Sequence, residues 1–359
     1  MRREQCFDVS PMVAIWEVTR ACDLACVHCR ASAMPWRDPR ELSTADGLDL
    51  IGQLRELSPG VVVLTGGDPL KRADLFELIG AAVSRNLALA ITPSVTPLLT
   101  ADAIRRLAAA GISRMALSLD GPDAATHDAF RGTPGSFAAT LDAVAVARRT
   151  GLPLQINTSL SRRTVDALAA TGELVARIAP VLWSVFVVVP VGRAAQTQQL
   201  DADTCERVFH YLYDWNATTG LMVKTTAAQA YRRVAIQRDT ERARAGAAHR
   251  PRPAAVNDGK GFVFVSHTGD VYPSGFLPLS TGNIRQTRLA EIYRHNHLFQ
   301  ALRDPAYLEG KCGRCEFRAV CGGSRARAYA TTGDPFAEDP ACAYQPARRV
   351  ASDRLHPFL

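Results

Sequence analysis

The chain has 359 residues, which at about 150 residues per domain predicts two domains, or one large α/β barrel with an appendage. Hydrophobic residues make up 47% and charged residues 21%, ordinary for a soluble globular protein, so disordered, collagen-like and mucin-like classes are excluded. The 42 basic and 35 acidic residues leave a net charge of +7, an excess that does not demand nucleic acid and suits an anionic substrate or an acidic electron donor equally.

No run of about 18 apolar residues occurs; the longest approach, Val181 to Val191, contains Pro190, so no membrane span is expected. Met1 to Ser10 carries two arginines with no apolar stretch after them and does not read as a signal peptide. The expected location is cytoplasmic, with neither membrane nor nucleic acid as a partner.

From residue 12 to about 220, β-rich runs alternate with amphipathic helical patterns. The predicted strands are Val13 to Val18, Val61 to Thr65, Ala88 to Thr92, Met115 to Leu119, Leu154 to Thr158 and Trp183 to Val189. Helices are predicted over Thr44 to Leu57, Ala73 to Ser84, Ala101 to Ala110, Phe137 to Thr150 and Val165 to Ile178, several preceded by a capping residue such as Ser43, Thr100 or Ser136. Parallel neighbours need a connection long enough for a helix, so six such units imply an open, partial (βα)6 barrel of the α/β class. A further helix near Asp203 to Thr219 follows. The segment Tyr231 to Pro253 carries seven arginines and reads as a solvated basic linker or, alternatively, as a basic lid over an anionic substrate. Phe262 to Ser266 and Asp270 to Tyr272 flank His267-Thr268-Gly269 as a β-hairpin. The chain thus divides into an extension over 1–11, a barrel over 12–220, a basic linker over 221–258 and a small C-terminal domain over 259–359.

The nine cysteines are unevenly placed: Cys22, Cys26 and Cys29 together, Cys312, Cys315, Cys321 and Cys342 near the C-terminus, and Cys6 and Cys205 alone. A reducing compartment makes such clusters metal ligands or catalysts rather than disulfides. Cys22-x3-Cys26-x2-Cys29 follows the first strand, at the functional end of an α/β barrel. Three thiolates on one loop hold three irons of a [4Fe-4S] cube and leave the fourth open to a chelating molecule. Structural zinc wants a fourth donor, and His28, adjacent to Cys29, is poorly placed to share one tetrahedral ion with it. Cys6 and Cys205 read as small buried hydrophobes.

Here the sequence resembles the radical S-adenosylmethionine (SAM) superfamily. Gly66-Gly67-Asp68-Pro69 resembles the family's Gly-Gly-Glu-Pro motif, with aspartate for glutamate, where backbone groups take up the SAM amino group. Ser118-Leu119-Asp120-Gly121 and the segment His127 to Gly132 resemble family segments that meet the SAM ribose and carboxylate, implying such roles for Ser118 and Arg131. His28, Asn157 and the turn Val191-Gly192-Arg193 fall where the family contacts adenine and ribose.

The spacing Cys312-x2-Cys315-x5-Cys321-x20-Cys342 favours structural zinc when taken alone. With Gly322-Gly323-Ser324-Arg325 between its last two members it resembles the SPASM and twitch subfamily, where such a set binds an auxiliary [4Fe-4S] cluster. Val271-Tyr272-Pro273-Ser274 has serine where the family often has a further cysteine, so one auxiliary cluster is implied.

The resemblance implies a SAM-dependent enzyme in which an open cluster at Cys22, Cys26 and Cys29 reduces SAM to a 5′-deoxyadenosyl radical, supplied by an external electron donor such as flavodoxin or ferredoxin. Trp16 to Arg20, the Pro190 to Arg193 turn and the four-cysteine spacing are nearest to the heme d1 and alternative-heme-pathway enzymes. A carboxylated tetrapyrrole is the implied substrate, and arginine pairing with its propionates suits the basic excess. Peptide maturation, the subfamily's commonest occupation, is the alternative. A non-catalytic iron-sulfur or zinc protein is a third reading, which the SAM-contact segments disfavour.

Overall fold

The computed structural model describes residues 6–196, 199–244, 246 and 255–347. The start of the expected extension, part of the expected linker and the last part of the expected C-terminal domain lie outside them.

Ten strands among these residues form one sheet: β1 (Val13–Thr19), β2 (Val61–Gly66), β3 (Leu89–Ile91), β4 (Arg114–Ser118), β5 (Leu154–Leu160), β6 (Leu182–Val187), β7 (Val223–Thr226), β8 (Phe262–Val265), β9 (Asp270–Tyr272) and β10 (Gly282–Asn283). Their spatial order is β10-β9-β8-β1-β2-β3-β4-β5-β6-β7, parallel from β8 through β7 and antiparallel at β9 and β10. The crossovers carry α1 (Thr44–Leu57), α2 (Leu75–Ser84), α3 (Ala101–Ala109), α4 (Ala124–Arg131), α5 (Ser136–Thr150), α6 (Leu168–Ile178), α7 (Ala202–Thr219) and α8 (Ala230–Arg244). After the hairpin come α9 (Leu289–His295), α10 (His297–Arg303), α11 (Gly310–Arg314) and α12 (Arg325–Thr332). No helix among the described residues is long and apolar enough to cross a membrane.

All six strands read from the sequence are present, and alternation decides their two faces. Ala14, Trp16 and Val18 of β1 join the core under the helices, whereas Val13 and Ile15 face a central cavity. Leu50, Ile51, Leu54 and Leu57 of α1 are buried, each stabilising by about 1.5–3 kcal/mol. Ser43 closes a capping box with Asp46, and Thr100 caps α3. The cap expected of Ser136 is not formed: Gly135 is the N-cap of α5, and Asp128 takes the hydrogen bonds of Gly135 N, Phe137 N and Ser136 Oγ at 2.6, 2.7 and 2.8 Å.

The segment expected as a solvated linker is corrected in its described part. It holds β7, which pairs with β6, and α8, whose Ala230, Val234 and Ala235 are buried. Three of its arginines have structural partners: Arg233 pairs with Glu206, Arg232 donates to Val320 O at 3.1 Å, and Arg238 pairs with Asp214 at 2.6 Å. These contacts replace an apolar stripe, so no helical period shows in the sequence.

The C-terminal region is locked to the barrel by Arg327, which is 3% exposed. Its Nη2 donates to Val187 O at the end of β6 (3.2 Å) and Ala227 O after β7 (2.6 Å), while Nη1 pairs with buried Asp339 at 3.4 Å. Removing one partner of a buried pair leaves the other charge uncompensated, so Arg327→Met should cost about 3–5 kcal/mol. The midpoint of urea unfolding reads this out, and a loss below about 1 kcal/mol would show that the strap holds nothing.

Candidate active site

The loop bearing Cys22, Cys26 and Cys29 leaves β1 and is clamped by the ends of two other strands. Gly67 N donates to Thr19 O at 2.9 Å and Asp68 N to Ala21 O at 2.7 Å. A Cβ on Gly67 would lie 2.3 Å from Ala21 O. On the opposite side Arg193 N donates to Cys29 O at 3.0 Å, and a Cβ on Gly192, whose φ is +61°, would lie 2.3 Å from Arg30 O. Both positions therefore require glycine. Arg193 reaches over the loop, its Nε on Cys26 O at 2.9 Å and its Nη1 on Ala33 O at 3.0 Å.

The three thiols line one cavity of about 310 Å³ that runs the length of the strands. Leu24 N approaches Cys22 Sγ at 3.4 Å, Ala33 N approaches Cys29 Sγ at 3.4 Å, and Arg131 Nη1 approaches Cys26 Sγ at 3.5 Å. Donors aimed at sulfur favour thiolate and are the contacts that tune an iron-sulfur cluster. Without iron, burial raises the pKa of Cys22. Among the described residues no three His, Cys, Asp or Glu side chains converge to hold a single metal ion. The three cysteines instead line one shared space, the arrangement that a cluster bearing one thiolate per iron would use.

Of the other residues singled out in the sequence, Gly66, Gly67, His28, Ser118, Arg131 and Asn157 line this cavity. His28 is stacked on Phe130 (centroids 4.0 Å apart, planes at 8°), and burial lowers its pKa to about 4, so it is neutral. Arg131 is held by Asp120, Nε to Oδ2 at 2.9 Å. Burial opposes that guanidinium's charge, but Asp120 and Cys26 more than offset it and keep it protonated. Asp120 is itself fixed by Ser159 N at 2.6 Å, and its own N–H donates to His127 Nδ1 at 3.1 Å.

Asp68, Pro69, Val191 and Gly192 are not among the lining residues. The Asp68 carboxylate is fully buried and turned away, accepting from Thr96 Oγ1 at 2.7 Å and Leu70 N at 3.1 Å. Gly192 supports the cysteine loop from behind. Sequence reasoning missed Arg30, Ser94, Arg114 and Lys224, all of which line the cavity. Strand alternation puts Arg114 on the Ser118 face once β4 is begun one residue earlier, and flags Lys224 only once β7 is recognised. Arg30 pairs with Glu17 at 2.7 Å, and Glu17 also meets His267 Nδ1 at 2.8 Å. Burial raises the Glu17 pKa, yet these two partners outweigh it and keep the carboxylate ionised.

Cys312, Cys315, Cys321 and Cys342 line a second, smaller cavity with Arg233, Gly322 and Gly323. Cys312 Sγ receives Asp339 N at 3.4 Å and Arg325 Nη2 at 3.7 Å; Phe317 N and Gly323 N approach Cys315 and Cys321 at 3.4 Å each. Ser274, where a further cysteine is often found, is buried, and its hydroxyl accepts from Phe276 N at 3.2 Å. Cys205 is buried on α7, as expected of a packing residue; Cys6 is exposed, a correction, because the chain ahead of β1 runs over the surface.

Residues 16–171 match the radical SAM superfamily and residues 257–316 match an iron-sulfur cluster-binding domain, SPASM. The AdoMet-dependent heme synthase of Nitratidesulfovibrio vulgaris is 41% identical over 342 residues, covering 93% of this chain and 92% of that protein. The chain belongs to the radical SAM superfamily. The mycofactocin maturase of Mycolicibacterium smegmatis is 30% identical across 93% of this chain and 83% of its own length. SuiB of Streptococcus suis, solved bound to S-adenosylmethionine, shares the fold at a TM-score of 0.74 and 16% identity, covering 94% of this chain and 78% of that one. This radical SAM enzyme is thus a TIM-like α/β barrel with a SPASM domain, whose cofactors are SAM, a [4Fe-4S] cluster and auxiliary iron-sulfur.

Two outcomes follow for the radical SAM site. Replacing Cys22, Cys26 and Cys29 together with alanine should remove about four irons per chain and all 5′-deoxyadenosine formation; unchanged iron content would refute this ligand set. For pH, His28 and His127 both stay neutral down to about 4 in the folded chain, whereas unfolded they protonate near 6.5. As pH falls through this window the unfolded state binds more protons and fold stability drops. His127→Gln should therefore narrow the gap between urea midpoints at pH 7 and pH 5, and an equal gap in both proteins would contradict the assignment.

Proposed function

We propose that this radical SAM enzyme abstracts hydrogen from a carboxylated tetrapyrrole in a heme-type side-chain modification. The cavity carries the reading: Phe186, Phe262, Phe264 and Phe276 line it together with five cationic side chains, and no Asp or Glu is among its described lining residues. An apolar, flat ring with acidic substituents is complementary to such walls. The higher identity to a heme synthase than to a peptide maturase, 41% against 30%, supports the same choice.

When bound, the open cluster and SAM supply the electron transfer and the 5′-deoxyadenosyl radical. The chain's part is to position and enclose. Cys22, Cys26 and Cys29 hold the cluster, and Gly66 and Gly67 present backbone to the SAM amino group. Ser118, Asn157 and neutral His28 surround the nucleoside. His28 Nδ1 is buried without a hydrogen-bond partner, which suits it to receive one from a ligand. Arg131, oriented by Asp120, serves the carboxylate end. The four C-terminal cysteines hold one auxiliary cluster, as their single shared cavity supports. A small one-electron donor of the cytoplasm, flavodoxin or ferredoxin, completes the system.

Anaerobic incubation with SAM, dithionite and iron-coproporphyrin III should give saturable macrocycle binding and 5′-deoxyadenosine formation that rises with the macrocycle. Absence of binding, or stimulation by a peptide panel and not by the macrocycle, would overturn the substrate.

A further inference from the structure

The cationic lining of the cavity is only partly neutralised. Arg30 is paired with Glu17 at 2.7 Å, Arg131 with Asp120 at 2.9 Å, and Arg193 is committed to the carbonyls of Cys26 and Ala33. Arg114 and Lys224 differ. Neither side chain makes a hydrogen bond or ion pair with any described residue, and Arg114 Nε is buried with no partner among them. Lys224 lines the cavity and retains accessible surface, while the protein around it and then the charges of Arg114 and Arg232 lower its pKa to about 8. Two neighbouring cations without a counter-ion are unfavourable, and an entering anion reverses that cost.

Their position gives the site its meaning. Arg114 is the first residue of β4 and Ser118 the last, so the cavity wall extends for four residues, about 13 Å, between the arginine and the strand end beside the cysteine loop. Lys224 stands opposite Ser184 in the β6–β7 pairing, and Gln155, Ala116 and Thr226 complete the neutral surroundings. We propose that Arg114 and Lys224 form a carboxylate site that anchors an acidic side chain of the substrate at the end of the cavity remote from the cysteines. The anchored carboxylate is then a different group from the one presented to the radical, and the pair sets which substrate edge faces the cluster. A fork beside a point charge suits one carboxylate with two oxygens. The macrocycle rests on the reading above; the carboxylate rests on the two unpaired cations alone.

The test compares charged and uncharged forms of two probes on the anaerobic, cluster-loaded protein. Iron-coproporphyrin III should bind at least about tenfold more tightly than its tetramethyl ester, and naphthalene-2-carboxylate more tightly than its carboxamide. Lys224→Met should weaken both acids about tenfold and leave ester and amide within about twofold, while Lys224→Arg retains acid binding. Arg114→Gln gives an independent second variant, and iron content shows whether each variant is assembled. Naphthoate binding that depends on Lys224, with no macrocycle binding, would overturn the tetrapyrrole reading and leave the anion site standing. Absence of any acid preference in both pairs, or variants that weaken acid and neutral forms alike, would overturn the site itself.

Discussion

The active site depends on a backbone contact too close for any side chain. The cysteine loop lies between the turn after β2 and the turn after β6, touching each through carbonyl groups where a Cβ would come within 2.3 Å. The thiols therefore inherit their positions from two strands of the sheet and not from the loop's own conformation. This shifts the meaning of the Gly-Gly-Asp-Pro segment. Its glycines were expected to admit the SAM backbone contacts; Gly67 also admits the cysteine loop, and its N–H is already used by Thr19 O. The aspartate stands behind both, holding the following turn through Thr96 and Leu70, a task a short carboxylate performs well.

Much of this was legible in the sequence because it is written in local terms. Cysteine spacing, the strand periodicity of β1 to β6 and the capping box at Ser43 are patterns within a few residues. What was missed is non-local. Val223–Thr226 is a short strand with a lysine and two threonines, and it reads as a strand only beside β6. The packing of α8 combines small apolar residues with arginines, one of which has its partner as far away as Val320. The loneliness of Arg114 and Lys224 was invisible for a sharper reason: a sequence shows which charges exist, not which carboxylate is out of reach. Likewise the overall charge of +7 was uninformative, while the local imbalance in one cavity is specific.

The division into barrel and cluster-bearing domain also takes on a different form. One sheet crosses the boundary, since β8 pairs with β1 in parallel and carries the hairpin on its other edge. Phe262 and Phe264 of β8 line the cavity, so the region that holds the second cysteine set also supplies part of the substrate chamber. Arg327 fastens the two at the C-terminal ends of β6 and β7, and Asn257 adds a link through Gly323 O at 2.8 Å and Gln229 at 2.7 Å.

The β1–β8 pairing has a consequence for how the molecule is made. Val13 is matched with Phe262, so the strand that launches the three-cysteine loop keeps one edge unpaired until most of the chain has left the ribosome. Such an edge invites pairing with other chains, and contacts between residues so far apart in sequence close slowly. The nascent protein thus carries its oxygen-sensitive thiols beside an incomplete wall through most of its synthesis. A cavity walled by strands from both ends of the chain is complete only once β8 has covered the open edge of β1.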